Sequence, residues 1–493
     1  MDNDYDALVI GAGVIGCAVA RELSRYELKV ALLEKESDVC GGASKANSGV
    51  LHSGIYSAPK SQKARLCVQG NDLFSKFTQE IGVELQRIGK LVVARSDKEI
   101  EELEKLKKVG KENGVLGLKL IDVEEVRRLE PNIRAQCALL VPSAGIVSPY
   151  KLTIALAENA WENGVKVFLN SKVTDVSKKE NYFDVKNDNL TFRTRWLINS
   201  AGLYCDTIAN MLGIERHKVY PCRGEYLVLD KSYDHLINHL IYPPPENGSG
   251  GLGVHLTPTM EGNILIGPSA EYIDEKDDIR TTKEAMDKLN VQAANFLKQL
   301  PKDAYIQSYA GVRCKLIPKG CEASGDFVIE EDEKVEGFIN LMGIESPGLS
   351  ASPAIAQMVV DIIKSRETLK PKDEFKTRRT GRRFGLLDIK GKSKQIETNP
   401  KHGHVICRCE NVTEKEITDA LDNPLGVRTL AGIKYRSRAT MGRCQGGFCR
   451  ARIVQIMEEQ YKMGVQDITF RSGDSRLFIG RTKDLRGNDR EES

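Results

Sequence analysis

Apolar residues along this chain fall in short continuous runs that end in small residues. The first, Tyr5-Asp-Ala-Leu-Val-Ile10, reads as a strand buried on both faces. It leads into Gly11-Ala12-Gly13-Val14-Ile15-Gly16, and apolar periodicity through about Tyr26 predicts a helix. Lys29-Val-Ala-Leu-Leu33 predicts a second strand ending at Glu34. Residues 164–176 predict a strand pair, and Trp196-Leu-Ile-Asn-Ser-Ala201-Gly202-Leu203 a further buried strand. Gly337–Gly343 predicts a strand that ends at a Gly-rich turn, Glu345 to Ser350, before a helix from about Pro353. The segment 97–113 has the pattern of an amphipathic surface helix. From about 370 to 402 the pattern gives way to charge, as in a linker with some extended structure. VTEKEITDALD then predicts a short helix. The tail from about Gly473 to Ser493 is nearly half charged, and its one apolar group, Leu477-Phe-Ile479, is expected to dock on a neighbouring element.

The first two strands and their helix form a dinucleotide-binding unit. Gly11 permits the tight turn, Gly13 lets the backbone approach a pyrophosphate, and Gly16 lets helix and strand pack closely. The phosphates would lie over the helix N-terminus, at Gly13, Val14 and Ile15, where unpaired N–H groups favour anions. Glu34, 21 residues past Gly13, is placed to bind both hydroxyls of an adenosine ribose. A carboxylate there repels a 2′-phosphate and disfavours NADP. The unit alone does not separate FAD from NAD. Downstream, residues 164–176 resemble a strand pair typical of FAD proteins, in which the backbone near Val173 would meet the adenine, and the turn before the last helix offers a second helix N-terminus suited to a flavin's O2 and N1 side. No second G-x-G-x-x-G follows a strand, which argues against an internal NAD domain.

Composition narrows the class. The 493 residues allow roughly two to four domains. With 72 Lys+Arg against 69 Asp+Glu the net charge is +3, which argues against a nucleic-acid binder. No apolar run reaches the ~20 residues of a spanning helix. The acidic start runs directly into the first strand with no signal-peptide pattern, so a cytoplasmic location is expected. Of the twelve cysteines eight are scattered singly, and four cluster near the C-terminus: Cys407, Cys409, Cys444 and Cys449. In a reducing compartment such a cluster more often holds a metal than a disulfide. A disulfide reductase would need two cysteines spaced C-x4-C after the fingerprint, and Cys40 stands there alone.

Glu34-Lys35, Ala46-Asn47-Ser48-Gly49-Val50-Leu51-His52-Ser53-Gly54, Ala310-Gly311-Val312-Arg313 and Gly343-Ile-Glu-Ser-Pro-Gly348 resemble the FAD-dependent family of D-amino-acid-oxidase type. Within it, they are most similar to the branch of glycerol-3-phosphate dehydrogenases and L-2-hydroxyglutarate dehydrogenases, over roughly residues 1 to 375. The resemblance implies that Ser44, Lys45 and Asn47 cross the flavin, and that Lys35, Ala201, Gly202, Gly343, Pro347, Gly348 and Leu349 line the cofactor. It carries the pattern Asn-Ser-x-x-x-His onto Asn47, Ser48 and His52, with His52 as the base near the flavin N5. An imidazole suits the removal of a hydroxyl proton while hydride leaves carbon. Arg313 matches the family's substrate-binding arginine, and its fork serves a carboxylate or a phosphate equally. Ser346 corresponds to a substrate-contacting position. His255 falls in the substrate-domain sheet, as a polar contact or as a structural histidine. Arg223 is expected as a solvated turn arginine.

The carboxy-terminal spacing C-x-C-x34-C-x4-C brings two close pairs together, each expected on a loop at a helix start. Four thiolates fit a [2Fe–2S] cluster or Zn²⁺, and a one-residue gap is unusual for structural zinc. The string resembles the bacterioferritin-associated-ferredoxin-like [2Fe–2S] domain fused to several flavin dehydrogenases. Lys434, Arg436, Arg438 and Arg443 would offset the cluster's charge and could guide an acidic partner.

The expected fold is therefore α/β: a Rossmann-like FAD-binding domain (1–85, 150–215 and 325–372) with an inserted α+β substrate domain (86–149 and 216–324). A linker (373–402), a small helical [2Fe–2S] domain (403–458) and a charged tail (459–493) would follow. The expected enzyme oxidises a small anionic alcohol, with sn-glycerol 3-phosphate first and L-2-hydroxyglutarate second. Electrons would pass through [2Fe–2S] to an electron-accepting protein subunit. Amine oxidation of sarcosine or proline type, and a zinc-bearing non-catalytic subunit, remain as other readings.

Overall fold

The structure, a computed structural model, describes residues 3–245, 253–301, 303–321, 325–378 and 383–480. The chain divides into two compact units, one of residues 1–35 and 39–380, the other of 36–38 and 381–493.

The larger unit is organised on two sheets. The first has eight strands, and its centre is parallel, with Thr191–Asn199, Asp4–Ile10, Val30–Leu33 and Lys166–Phe168 as successive neighbours. Phe338–Met342 joins the far end of Thr191–Asn199 in parallel, at Leu197, Ile198 and Asn199. Helices Val14–Leu23, Pro149–Glu162 and Gly348–Lys364 pack together beside it. Coverage of this kind explains why Val30–Leu33 and Phe338–Met342 are apolar and buried at every position. The span 164–176, expected as a strand pair, holds two strands that do not pair. Lys166–Phe168 closes one side of the sheet, whereas Asp175–Lys178 forms a hairpin with Phe183–Lys186 on the other side.

The second sheet has nine strands and is mostly antiparallel. Its long pair, Tyr220–Leu229 with Tyr305–Lys315, runs from Tyr220 opposite Lys315 to Leu229 opposite Tyr305. Beyond it follow Ile264–Gly267, His255–Pro258, Leu240–Tyr242, Lys90–Ala94 and Cys137–Val141. Strand alternation sorts Lys90–Ala94 between two cores. Leu91 and Val93 join one cluster, while Val92 and Ala94 join another that includes Tyr242. Lys90 shares the second face.

Several elements depart from expectation. The first helix ends at Leu23 rather than near Tyr26. The last helix of this unit begins at Gly348, five residues before Pro353. Pro353 has no N–H for the Leu349 carbonyl, and the Ser352 hydroxyl donates to that carbonyl instead at 2.9 Å. Residues expected as a linker contain a helix, Ile389–Thr398, capped by Asp388. Of the basic run there, Arg378 pairs with Glu158 and Glu162, and 379–382 lie outside the described residues.

The smaller unit packs a two-stranded ladder, Val405–Cys407 with Val412–Thr413, against helices Glu414–Leu421, Leu430–Ser437 and Cys449–Tyr461. Thr413 and Glu416 form a reciprocal capping box at the start of the first helix. Leu477 and Phe470 pack on this core, whereas Ile479, expected to dock, is 90% exposed. Among the described residues no helix is long and apolar enough to cross a membrane.

Candidate active site

The glycine turn has the geometry its sequence demands. Gly11 has φ +97°, and a Cβ there would lie 2.6 Å from the Ser200 carbonyl oxygen. A Cβ on Gly16 would lie 1.9 Å from the Gly11 oxygen, so helix and strand meet only because both residues are glycine. Gly13 caps the helix in extended conformation without any side-chain cap, and Val14 and Ile15 open its first turn. The Val14 N–H donates to Ser44 Oγ at 2.9 Å, which lays the 43–47 segment across that terminus. Glu34, buried at the end of the second strand, accepts the Ala12 N–H at 2.8 Å and is thereby fixed beside the turn. Lys35 lies over the Tyr204 ring, in the segment that opens with Ala201 and Gly202. Val173 is buried in the core beneath the same sheet end. On the other side Gly343 (φ +67°), Pro347, Gly348 and Leu349 form the turn and first residues of the Gly348–Lys364 helix.

A second group of side chains gathers between the sheets. Asn47 is held by its side chain to Ser44 and Gly49, and its carbonyl accepts Tyr309 Oη–H at 3.0 Å. Close approach of this loop to strand Tyr305–Lys315 requires Gly311, whose Cβ would fall 2.1 Å from the Ala46 oxygen. Ser48 hydrogen-bonds Tyr226, which stacks on Tyr309 at 4.7 Å. His52 Nε2 lies 3.4 Å from Ser346 Oγ, and its Nδ1 lies 3.4 Å from Lys90 Nζ. Burial above all, and then the neighbouring Lys90 and His255, hold the His52 imidazole well below its ordinary range. It is neutral at pH 7.

His255 stacks on Tyr242 at 3.9 Å, with Nδ1 3.0 Å from the Gly253 carbonyl. Burial pushes it down to about 3. Its Nε2, with Tyr242 Oη and Tyr56 Oη, is buried without a hydrogen-bond partner in the protein. Buried polar atoms are almost always paired, so three orphans around His52 mark a place built to receive a polar ligand.

Arg313 reaches the same region from strand Tyr305–Lys315. Its Nη2 donates to the Ser269 carbonyl at 3.0 Å and its Nη1 to Cys222 Sγ at 3.5 Å. A guanidinium has five donors, so the fork retains capacity for an anion. Its seat depends on Gly224, whose Cβ would sit 2.7 Å from Nη2. Glu345, beside Ser346, pairs with Lys63 at 3.0 Å and Lys315 at 3.2 Å. Burial would raise this carboxyl, but the two lysines and Arg313 outweigh it and hold it low. Arg223 is the clear departure from expectation: it is buried in strand Tyr220–Leu229 and pairs with Glu271 at 2.6 Å and Asp278 at 2.7 Å.

Lys90 and Tyr242 escape a reading by motif, because no local spacing ties them to His52. The signal available was a lysine opening an otherwise apolar strand, Lys90-Leu-Val-Val-Ala94.

In the smaller unit the four clustered cysteines stand as two neighbouring pairs, Cys407 with Cys449 and Cys409 with Cys444. Each pair joins one residue from the ladder end to one from the later segment. Only Cys449 starts a helix; Cys407 ends a strand, and Cys409 and Cys444 lie in turns. As the side chains stand, no three His, Cys, Asp or Glu among the described residues close on a single ion. Two thiol pairs suit a two-iron cluster, which takes two cysteines at each iron, better than one tetrahedral zinc. Gly442 is needed for this approach, since a Cβ there would lie 2.4 Å from Cys409 Cβ. Of the cations expected to guide a partner, Arg438 is buried against Glu410 at 2.9 Å and Arg436 is largely buried.

Comparison with known proteins accounts for both units. The FAD dependent oxidoreductase family matches residues 6–362, and the BFD-like [2Fe-2S] binding domain matches 405–459. A glycerol 3-phosphate dehydrogenase of Caloramator mitchellensis is 40% identical over 97% of this chain and 99% of its own length. The mitochondrial L-2-hydroxyglutarate dehydrogenase of Arabidopsis thaliana is 34% identical over 72% of this chain and 83% of its own. The dithionite-reduced L-alpha-glycerophosphate oxidase of Mycoplasma pneumoniae, solved with FAD bound, superposes with a TM-score of 0.72 at 30% identity. It covers 77% of this chain and 99% of its own. The chain belongs to the FAD-dependent oxidoreductases, with FAD and a [2Fe–2S] cluster as its cofactors.

Proposed function

Starting from that membership, we propose that the protein oxidises sn-glycerol 3-phosphate to dihydroxyacetone phosphate and passes the electrons through [2Fe–2S] to an acceptor protein. The observation that carries this reading is the likeness to the Caloramator mitchellensis glycerol 3-phosphate dehydrogenase, which runs through 97% of this chain and so includes the cysteine module. FAD, when bound, supplies a two-electron acceptor for the hydrogen on the carbinol carbon.

The chain's own residues supply the rest. The Arg313 fork binds the phosphate. Glu345 keeps the neighbouring lysines neutralised, so that the anion is drawn to Arg313. His52 receives the hydroxyl proton at Nε2, where Ser346 Oγ orients it. Tyr242, Tyr56 and His255 Nε2 offer polar partners to the substrate's hydroxyls, and their rings exclude water. Ser48 positions Tyr226 at the wall. A small anionic alcohol fits this set of groups. The second reading, L-2-hydroxyglutarate, is favoured by the 34% identity to the Arabidopsis thaliana dehydrogenase and by the equal fit of Arg313 to a carboxylate.

Anaerobic reduction separates the two. Glycerol 3-phosphate should bleach the flavin band, and sarcosine should leave it untouched. Bleaching by L-2-hydroxyglutarate alone overturns the assignment. His52→Ala should slow bleaching on the order of 10²–10⁴-fold with little change in substrate affinity.

A further inference from the structure

Lys90 presents a problem of charge. Its side chain is fully buried, and among the described residues no carboxylate faces it. The titratable groups around it are His52 from the loop after Val50–Leu51, Tyr56 from the same loop, and Cys67 from helix Gln62–Glu80. Tyr242 and His255 come from the adjoining strands. None is an anion near neutrality: burial pushes the Cys67 thiol up to about 12 and the Tyr56 hydroxyl higher still. The Nζ lies 3.9 Å from the Tyr242 ring centre and 4.8 Å from that of Tyr56. Its polar neighbour is His52 Nδ1 at 3.4 Å.

That contact has two chemically distinct forms. An ammonium only donates, so it would leave Nδ1 bare and put the imidazole proton on Nε2, where the substrate hydroxyl needs an acceptor. An amine has a lone pair. It accepts Nδ1–H and leaves Nε2 bare, and Ser346 Oγ can then donate to Nε2. Burial without a counterion favours the amine and lowers Lys90 to about 7.

We propose that Lys90, as the amine, is the positioning residue that fixes the tautomer of His52 and receives its Nδ1 proton during alcohol oxidation. The inference rests on His52 being the base. The alcohol O–H breaks and an Nε2–H bond forms. The Nδ1–H bond breaks and an N–H bond forms on Lys90. The carbon-bound hydrogen leaves with its electron pair to FAD as C=O forms. The positive charge ends over two tyrosine rings rather than on a buried imidazole, where desolvation opposes it.

Three measurements test this on the FAD-loaded full chain. In the wild type, ¹⁵N spectra of His52, identified by its loss in His52→Gln, should show the proton on Nδ1 at pH 8 without substrate. A proton on Nε2 at pH 8 overturns the proposal, and this readout needs no variant at Lys90. Anaerobic flavin reduction by glycerol 3-phosphate should rise about tenfold per pH unit below about 7 and level off above it. Lys90→Met offers only a weakly accepting thioether and no basic nitrogen, and should lose at least tenfold in rate at pH 8, together with the step near 7. Lys90→Gln offers an amide oxygen that can hold Nδ1–H but cannot take its proton, so it should show a flat profile and a rate at pH 8 between those of Lys90→Met and the wild type; a wild-type rate in Lys90→Gln overturns the transfer to Lys90. Wild-type rate and pH dependence in Lys90→Met overturn the role of Lys90 while leaving His52 as base. Undiminished reduction in His52→Ala overturns both.

Discussion

Arg313 shows how far one side chain depends on neighbours that carry no chemistry. Its strand and its approach to the site follow from a recognisable Ala-Gly-Val-Arg string, but the room for its guanidinium comes from Gly224 on the paired strand. Gly224→Ala would press a methyl into Nη2 and turn the fork, so KM for the anionic substrate should rise about tenfold with kcat nearly kept, a cost on the order of 1.4 kcal/mol. Unchanged KM would show that the fork does not hold the anion. Glu345 makes a different prediction. Removing its charge in Glu345→Gln leaves Lys63 and Lys315 facing each other, and unfolding in denaturant should show a loss of roughly 3 kcal/mol at pH 7. The carboxyl is held below its ordinary value in the fold, so its stabilisation is complete above the unfolded Glu range of about 4.3 and is lost as pH falls through the folded value. The gap between wild type and variant should therefore close in acid. Single residues were legible where a motif named them. Arg223, Lys90 and Tyr242 were not, because their meaning lies in partners that only the sheet brings together, such as Asp278 for Arg223, His52 for Lys90 and Tyr56 for Tyr242.

Among elements, those with strong periodicity were read correctly and the errors sit where a local rule had a compensating partner. Two-sided apolar runs gave Asp4–Ile10, Val30–Leu33 and Phe338–Met342 with small errors at the ends. The helix start at Gly348 was missed because proline normally breaks a helix, and the Ser352 hydroxyl that replaces the missing donor is visible only in three dimensions. The strand pair at 164–176 was missed because both halves are strands and nothing in their pattern says which partner each takes. In the smaller unit the short helix Glu414–Leu421 was readable, and it depends on its cap. Thr413→Ala removes a two-way hydrogen-bonded box and should cost about 1 kcal/mol. Since the same threonine ends the ladder that carries Cys407, the loss should also appear as faster bleaching of the cluster's visible absorbance on warming. Gly442→Ala acts directly on the cysteines: with a Cβ 2.4 Å from that of Cys409, the purified chain should carry FAD but little iron.

Across the whole molecule the two units differ in electron count. A flavin takes a pair of electrons from an alcohol in one event, whereas a [2Fe–2S] cluster accepts and gives one at a time. Coupling them suits an enzyme whose final acceptor is a one-electron carrier, and it predicts that the halves of the reaction can be separated by one substitution. Cys409→Ser takes away a thiolate from the less buried pair of the smaller unit, whereas the residues proposed to meet the substrate lie between 48 and 346 in the larger one. Stopped-flow mixing with glycerol 3-phosphate under anaerobic conditions should reduce its flavin at the wild-type rate. Steady-state transfer to a one-electron protein acceptor should fall by at least tenfold, because each reduced flavin would then wait without an exit for its electrons. If the variant instead turned over with such an acceptor as fast as the wild type, the cluster would stand outside the path, and the flavin would have to deliver single electrons to the partner itself.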